Sequence, residues 1–406
     1  MTPDSTLPMP TPEAAPHPTA PRSQALAIRF TGSGSEYFRI WSVNLLLTLV
    51  TLGIYFPWAK ARRLRYFYGN TLVGDHPLDF HGRPGRMLRG YLLVGALVGL
   101  YSVAGKVSPT AGLIALLILA GVWPALFRAS QQFRLANTSW RGLRFRFTGG
   151  LAGAYRAVLP AFVPALLALA GVMAANRLDT DDAAPGATSG WLGLLGLVPL
   201  AVLLLFPLLW WLLKKYQHDH SALGQTQPTL RVGPGAFYAV IVKTVGVALL
   251  TGLVGVGVGL LLGGGGAMAL LAGKGGSQGS APALVAMALA VVAFLTYIAM
   301  IMVVRPYAVS RFQNLVWGRT ASAEVGFTST LRFWPMLGLT VKNWALVLAT
   351  LGLYWPFAAV AMARMRLSAV SVQMHVPVDA LVARTERSDD AAGDAAGDLF
   401  GIDIGL

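Results

Sequence analysis

Several uninterrupted apolar runs in this chain exceed 18 residues, and that length limits what the chain can fold into. A helix needs about 20 mostly apolar residues to cross the hydrocarbon core of a bilayer. Only 12% of the 406 residues are charged, against about 25% in soluble globular proteins. A charge at the centre of a spanning helix costs about 2.5–3.5 kcal/mol. The sequence therefore predicts an all-α integral membrane protein.

Eight apolar segments lie between two polar ends. Six have the length of full spans, at about 88–104, 110–128, 154–175, 191–213, 236–262 and 283–304. The two outer segments, at about 38–58 and 334–358, are less regular. Residues 1–27 are rich in Pro, Thr, Ala and Ser without an apolar signal core, and residues 379–406 hold seven of the 17 acidic residues. Both ends are predicted to be disordered, which leaves 28–378 as the membrane domain.

The net charge of +15 is concentrated beside the apolar runs. Cations next to spans mark the cytoplasmic side, so we expect a membrane protein whose basic loops face the cytoplasm. Anionic membrane lipids are the expected partners and nucleic acid is not, while the oligomeric state stays open. The chain has no cysteine, which excludes disulfides, thiol catalysis and Cys-ligated metals.

An internal repeat links the two outer segments. A shift of 299 residues places NLLLTLVTLGIYFP (44–57) on NWALVLATLGLYWP (343–356), with eight of fourteen positions identical. Leucine matches are common in apolar helices. The matches at Asn, Gly, Tyr and Pro are not, and they indicate a true repeat.

A weaker form of the same pattern divides the chain into five units. In each unit an apolar segment reaches a proline and then a basic and aromatic stretch; the prolines are Pro57, Pro124, Pro207, Pro306 and Pro356. Short alternating runs follow, such as LDFHG (78–82) and LRFRFTGG (143–150), which predict short strands on the cytoplasmic face. New units begin with Phe-x-Gly at Phe30, Phe80 and Phe147, and degenerate copies lie at 327–329 and 232–233.

Two membrane arrangements are compatible with this pattern. If every unit begins and ends on the cytoplasmic side, the two outer segments are re-entrant hairpins shielded by protein, beside six full spans. Alternatively all eight segments are straight spans. The second arrangement places Arg364, Arg366, Arg384 and Arg387 outside, against the usual charge bias.

The stretch from Phe30 to Thr71 resembles the YjgN family of bacterial inner-membrane proteins, and the resemblance covers roughly residues 28–378. It is carried by Gly34, Glu36, Tyr37, Phe38, Trp41, Asn44, TLGIY (51–55), Pro57, Trp58, Ala59, Lys60, Arg62, Arg65, Tyr66, Phe67, Tyr68, Gly69-Asn70-Thr71 and the later block 137–141. The resemblance implies a multi-pass inner-membrane location. That family is a domain of unknown function, so the resemblance supplies no activity or catalytic residue.

Asn44 and Asn343 lie inside the repeated apolar segments, each followed by a glycine, Gly53 or Gly352. Such a pair is most often explained by interhelical hydrogen bonds. The functional alternative is a polar site where two broken helices meet, as in transporters built from repeats. These four residues are our candidate polar site.

Basic residues after the prolines are candidate lipid-headgroup contacts, with plain interface anchoring as the alternative. They are Lys60, Arg62, Arg63, Arg65, Arg128, Arg134, Arg364 and Arg366. The His and Asp residues at 75–81 and 218–220 fit no standard metal motif, and the glycines at 255–266 and 273–277 fit no phosphate loop. We therefore expect no metal, no cofactor and no catalytic site.

The sequence thus predicts a multi-pass inner-membrane protein that binds or moves a small solute or lipid. The alternative is a structural or regulatory membrane component without transport or catalysis.

Overall fold

Helices and short strands alternate through the described part of the chain, which comprises residues 24–178, 187–271 and 280–384 of the computed structural model. The helices are α1 Gly34–Val50, α2 Phe56–Gly69, α3 Pro84–Val107, α4 Pro109–Ala136, α5 Leu151–Val158, α6 Val163–Leu178, α7 Ala187–Asp219, α8 Pro234–Leu271, α9 Ser280–Trp317, α10 Phe333–Ala349 and α11 Trp355–Ser368. The strands are β1 Gln24–Phe30, β2 Thr71–Val73, β3 His76–Phe80, β4 Thr138–Trp140, β5 Leu143–Phe147, β6 Ser221–Leu223, β7 Thr229–Leu230, β8 Thr320–Ala321, β9 Val325–Ser329 and β10 Val370–Met374.

Among the residues that the structure describes, six helical segments are long and apolar enough to cross a membrane, which confirms the six predicted spans. They are Pro84–Val107, Pro109–Ala136, Leu151–Leu169, Val198–Asp219, Pro234–Leu261 and Ala286–Trp317. The third runs through α5, a 3-10 turn and α6. Little of this apolar surface is buried against protein. The buried share of the most apolar window is zero in α3 and α9 and at most 28% in the others.

The ten strands pair antiparallel in one sheet, ordered β6-β5-β4-β3-β2-β1-β10-β9-β8-β7. The prediction of an all-α fold is therefore incomplete. The strands are two to seven residues long and pair over long sequence separations, as in β1 with β10. A local hydrophobic pattern does not report such pairing. The runs predicted as strands at 78–82 and 143–150 do lie on β3 and β5.

The sheet curls into a half-barrel whose two edge strands, β6 and β7, are consecutive in the chain. A bridge between Leu223 and Thr226 lies in the connection between them. Side chains from both halves of the sheet meet in one cluster inside the curl, where Leu223 joins Val325 and Met374. The concave face of the sheet is therefore apolar.

Five helical pairs are attached to this sheet in the same register. In each pair, the last residue of the strand before the helices is the partner of the first residue of the strand after them. The partners are Phe30 and Thr71, Phe80 and Thr138, Phe147 and Ser221, Leu230 and Thr320, and Ser329 and Val370. Each pair therefore leaves the sheet and comes back to it. We call α2, α4, α7, α9 and α11 the returning helices.

The Phe-x-Gly sequences have a steric cause at the junction of strand and helix. The ring of Phe147 folds over Gly149, where an added Cβ would lie 2.5 Å from it. The same contact occurs at Gly32 and Gly82. The degenerate copies are displaced, because the equivalent positions are Leu230 and Ser329, two residues before 232 and two after 327. Neither carries the ring that makes the motif visible.

The first and last pairs are short, with 17 residues in α1 and α10 and 14 in α2 and α11. Their turns are alike: Leu52 and Leu351 have φ of 50° and 51°, and Gly53 and Gly352 have φ of 92° and 94°. Glycine suits this left-handed backbone because it lacks a Cβ. Both leucines are exposed, at 93% and 94%.

The boundaries of the folded part lie outside the predicted 28–378. Residues 24–27, assigned to the disordered lead, belong to β1 and pair with β10. Residues 378–384, assigned largely to the acidic tail, form a helical turn. The rest of both predicted disordered segments lies outside the described residues.

Candidate functional site

A cavity of about 920 Å³ lies between the concave face of the sheet and the ends of the returning helices. Every returning helix contributes at least one residue to its wall: Tyr68 of α2, Arg134 of α4, Lys214 of α7, Gln313 of α9 and Arg366 of α11. The cavity is therefore enclosed by all five helical pairs.

Each returning helix carries a buried proline at the same distance from the strand that follows it. Pro57, Pro124, Pro207, Pro306 and Pro356 are all buried, and each lies 14 residues before the first residue of the following strand. Residues three, four and seven positions before the strand share one helical face. In the five helices, that face lines the cavity; the lining residues at these positions are Tyr68, Arg134, Leu135, Lys214, Gln217, His218, Gln313, Val316, Trp317 and Arg366.

Most of the wall is apolar, and it has two parts. The sheet contributes residues such as Ile28, Trp140 and Phe327 on one side. On the other side the cavity reaches into the candidate spans, where it is lined by Phe206, Trp210, Ile241, Val245, Ala308 and Val309. The cavity therefore extends from the sheet into the candidate spans.

Between these apolar parts lies a belt of cations held by amide oxygens. Arg134 donates from Nη2 to Gln131 Oε1 at 2.7 Å, and Arg366 donates from Nε to Gln313 Oε1 at 2.9 Å. Lys214 donates from Nζ to Gln217 Oε1 at 3.2 Å. Arg134, Lys214 and Arg366 all line this one cavity.

No carboxylate lines the cavity among the residues that the structure describes. The ion pairs in the same part of the chain lie elsewhere: Arg29 with Asp75, Arg141 with Asp379, Lys215 with Asp219 and Arg384 with Glu324. The three cations of the belt are therefore solvated by neutral amides and carry net positive charge into the cavity.

The helical turn at 378–384 covers the sheet end of the cavity. Leu381 is 3% exposed, packs with the sheet core and lines the cavity. Two ion pairs flank it, Asp379 with Arg141 at 2.7 Å and Arg384 with Glu324 at 2.8 Å. These contacts tie the turn to strand ends on both halves of the sheet.

The candidate polar site does not line this cavity. Asn44 donates to Ala59 O and Asn343 donates to Ala358 O, both at 3.5 Å, so each asparagine bonds within its own helical pair. Arg62 also donates to Asn44 Oδ1 at 3.5 Å. In the second copy of the repeat, the residue equivalent to Arg62 is Ala361. Asn343 Oδ1 is therefore buried without a hydrogen-bond partner. Gly53 and Gly352 lie at the exposed turns.

The structure gives the eight predicted headgroup cations three different surroundings. Arg65, Arg128 and Arg364 donate to the carbonyl oxygens of Gly82, Gly149 and Gly32, the junction glycines of neighbouring pairs. Lys60 and Arg63 lie over the rings of Tyr91 and Phe67, and Arg62 contacts Asn44. Only Arg134 and Arg366 of the eight line the cavity. Lys214, the third cation of the belt, was not among the predicted site residues.

Three histidines of the two sequence clusters have separate hydrogen-bond partners. His81 Nε2 lies 2.8 Å from Ser139 Oγ, His218 Nδ1 lies 3.1 Å from Thr320 Oγ1, and His220 Nδ1 lies 3.0 Å from the carbonyl oxygen of Tyr216. Within the described residues, no three His, Asp or Glu side chains come together in a way that could hold a metal ion.

Comparison with known proteins identifies a family. The family model described as "bacterial protein of unknown function (DUF898)" matches residues 25–399. Inner membrane protein YjgN of Salmonella typhimurium is 34% identical over 119 residues, which is 29% of this chain and 30% of that protein. Inner membrane protein YjgN of Escherichia coli K12 is 30% identical over 141 residues, 34% of this chain and 35% of that protein. These matches span about a third of the relatives' length. No solved structure matches the chain.

Proposed function

The chain belongs to the DUF898 family of bacterial proteins of unknown function, and from its own geometry we propose that it binds an amphipathic, lipid-like molecule in the cavity beneath the sheet. It is an inner-membrane protein with six helices able to span the bilayer. The observation that carries the proposal is the position of the cavity. One wall is the apolar sheet, and the other consists of residues inside candidate spans.

The size and chemistry of the cavity suit such a ligand. Ligand pockets measure about 300–1,000 Å³ and combine apolar walls with a few polar groups. A cavity of about 920 Å³ lies in that range. A small polar solute would leave most of the apolar wall without a partner, whereas an acyl or alkyl chain would cover it.

The spans offer a lipid route to the cavity. Their apolar windows are at most 28% buried against protein, so lipid chains must cover most of the helical surface. Phe206 and Val245 line the cavity and still have 43% and 39% of their surface exposed. A chain lying against these helices in the bilayer could extend into the cavity as far as the cation belt without crossing a polar barrier.

The proposal includes a membrane arrangement of five equivalent β–helix–helix–β units. The common register of the five pairs and the common 14-residue interval after each proline support it. In this arrangement the sheet is cytoplasmic, since basic residues follow every proline. The two short pairs enter the bilayer from the sheet side and return to it. Hydrogen bonds within each turn, such as those from Gly53 N to Thr48 O and from Gly352 N to Val347 O, satisfy backbone groups that would otherwise face lipid.

Two adjacent residues of α8 provide a matched test. Ile241 lines the cavity, whereas Val242 does not and is 67% exposed. Ile241→Trp should fill the cavity and remove co-purifying lipid, and Val242→Trp should leave it bound. Native mass spectrometry of both variants, purified from the same membranes and compared at equal folded fraction, measures the difference. Equal lipid in the two variants would contradict a ligand in the cavity and favour a structural role.

A further inference from the structure

We infer that the ligand of the cavity is an anionic amphiphile whose phosphate or carboxylate head binds Arg134, Lys214 and Arg366. This inference rests on the proposed function and names the ligand class. Three observations carry it: the convergence of the cations, the nature of their present partners, and the apolar surfaces next to them.

The convergence comes from three different returning helices. Arg134 lies on α4, Lys214 on α7 and Arg366 on α11, and all three line the same cavity. Arg134 and Arg366 occupy the same position, four residues before a strand, and Lys214 lies seven residues before one. Three like charges drawn together in an apolar cavity repel one another and lose hydration, which costs free energy unless an anion joins them.

The partners of these cations do not neutralise them. Each one donates to the amide oxygen of a glutamine, namely Gln131, Gln217 or Gln313. The amides accept hydrogen bonds and fix the direction of the cationic groups, but they carry no charge. No carboxylate of the described residues lines the cavity.

Helix ends supply only part of the missing negative charge. The C-terminus of a helix acts as roughly half a negative charge. Arg134 and Arg366 lie in the last turns of α4 and α11, whereas Lys214 lies further from the end of α7. These half-charges leave most of the positive charge of the belt uncompensated. A phosphate or carboxylate in the belt would offset this charge, and arginine binds both groups through two parallel hydrogen bonds.

The belt is also placed correctly for an amphiphile. It adjoins the part of the wall formed by Phe206, Ile241 and Val309, which lie in candidate spans. A head bound at the belt therefore lets its chain run along membrane-depth residues. A free inorganic anion would use the belt and leave this apolar surface uncovered.

The test compares binding of four probes to the full chain in neutral detergent by isothermal titration calorimetry. The probes are lysophosphatidic acid, palmitate, zwitterionic lysophosphatidylcholine and inorganic phosphate. We expect the two anionic amphiphiles to bind at least about 10-fold more tightly than lysophosphatidylcholine, because hydrogen bonds to charged groups are the strong ones. Inorganic phosphate should bind at least about 10-fold more weakly than lysophosphatidic acid, because it has no chain.

Lys214→Gln should reduce the affinity for the anionic amphiphiles by about 10-fold or more and leave lysophosphatidylcholine unchanged. Lys215→Gln is the matched control, because Lys215 pairs with Asp219 outside the cavity; it should bind all probes as the parent does. Equal affinity for the anionic and zwitterionic probes, or equal losses in the two variants, would overturn the anionic assignment. If inorganic phosphate bound tightly and the amphiphiles did not, an amphipathic ligand would be contradicted. If Ile241→Trp fails to weaken any amphiphile, the proposed function itself is wrong.

Discussion

The sheet-side half of the molecule and its membrane-depth half are held together by different contacts. On the sheet side, the five helical pairs share one strand register, and rings folded over glycines fix three of the five junctions between strand and helix. At membrane depth, the helices bury little apolar surface, and each one packs mainly on its pair partner and adjoining helices. The difference indicates that the sheet side determines the fold, and that lipid supplies most of the packing for the spans.

The largest effect should come from deleting the same side chain in the two halves. Phe237 is fully buried on the sheet side, where its ring lies 5.7 Å from that of Phe312, whereas Phe294 is 62% exposed at membrane depth. Phe237→Ala should cost about 3–5 kcal/mol of unfolding free energy by leaving a cavity. Phe294→Ala should cost less than about 1 kcal/mol. Unfolding by SDS in mixed micelles measures both, and comparable losses would remove the distinction between the halves.

A smaller difference should separate the two asparagines of the short helical pairs. Asn44 has contacts with Ala59 and Arg62, whereas Asn343 has one with Ala358 and an unpartnered buried oxygen. Polar contacts between membrane helices contribute about 0.6–2 kcal/mol. Asn44→Ala should therefore destabilise the protein by about 1 kcal/mol more than Asn343→Ala, because only the first removes a bond to a charged group. A larger loss of unfolding free energy for Asn343→Ala in the same assay would contradict the conclusion that Asn44 makes the stronger contacts.

The sequence predicts the membrane-depth half better than the sheet-side half. Long apolar runs are a local signal, and all six spans follow from them. Strands of two residues, such as β7 and β8, have no local signal and exist only because distant segments pair with them. The Phe-x-Gly sequences revealed three of the five junctions, and the two without the ring were misplaced by two residues.

The sequence predicted only two of the three belt cations, because it does not define which side of each helix faces the cavity. Charge beside a span identifies Arg134 and Arg366 together with six cations that have other contacts. Lys214 and Lys215 are neighbours in the sequence but lie on different faces of the helix. Lys214 therefore lines the cavity, whereas Lys215 pairs with Asp219. Counting back seven residues from each strand aligns Lys214 with Gln131 and Gln313. That count requires the strand starts, which the sequence did not define.

The most direct test of the arrangement is the side of the membrane that the first short pair returns to. The chain has no cysteine, so single cysteines can be placed at Ala27 and His76, which flank α1 and α2, and at Val107, at the far end of α3. Labelling with a membrane-impermeant maleimide in inside-out and right-side-out vesicles reports the side of each. We predict that Ala27→Cys and His76→Cys react from the same, cytoplasmic side and that Val107→Cys reacts from the other. Labelling of Ala27→Cys and His76→Cys from opposite sides would mean that the first pair crosses the membrane, and the account of five returning pairs around one cavity would be wrong.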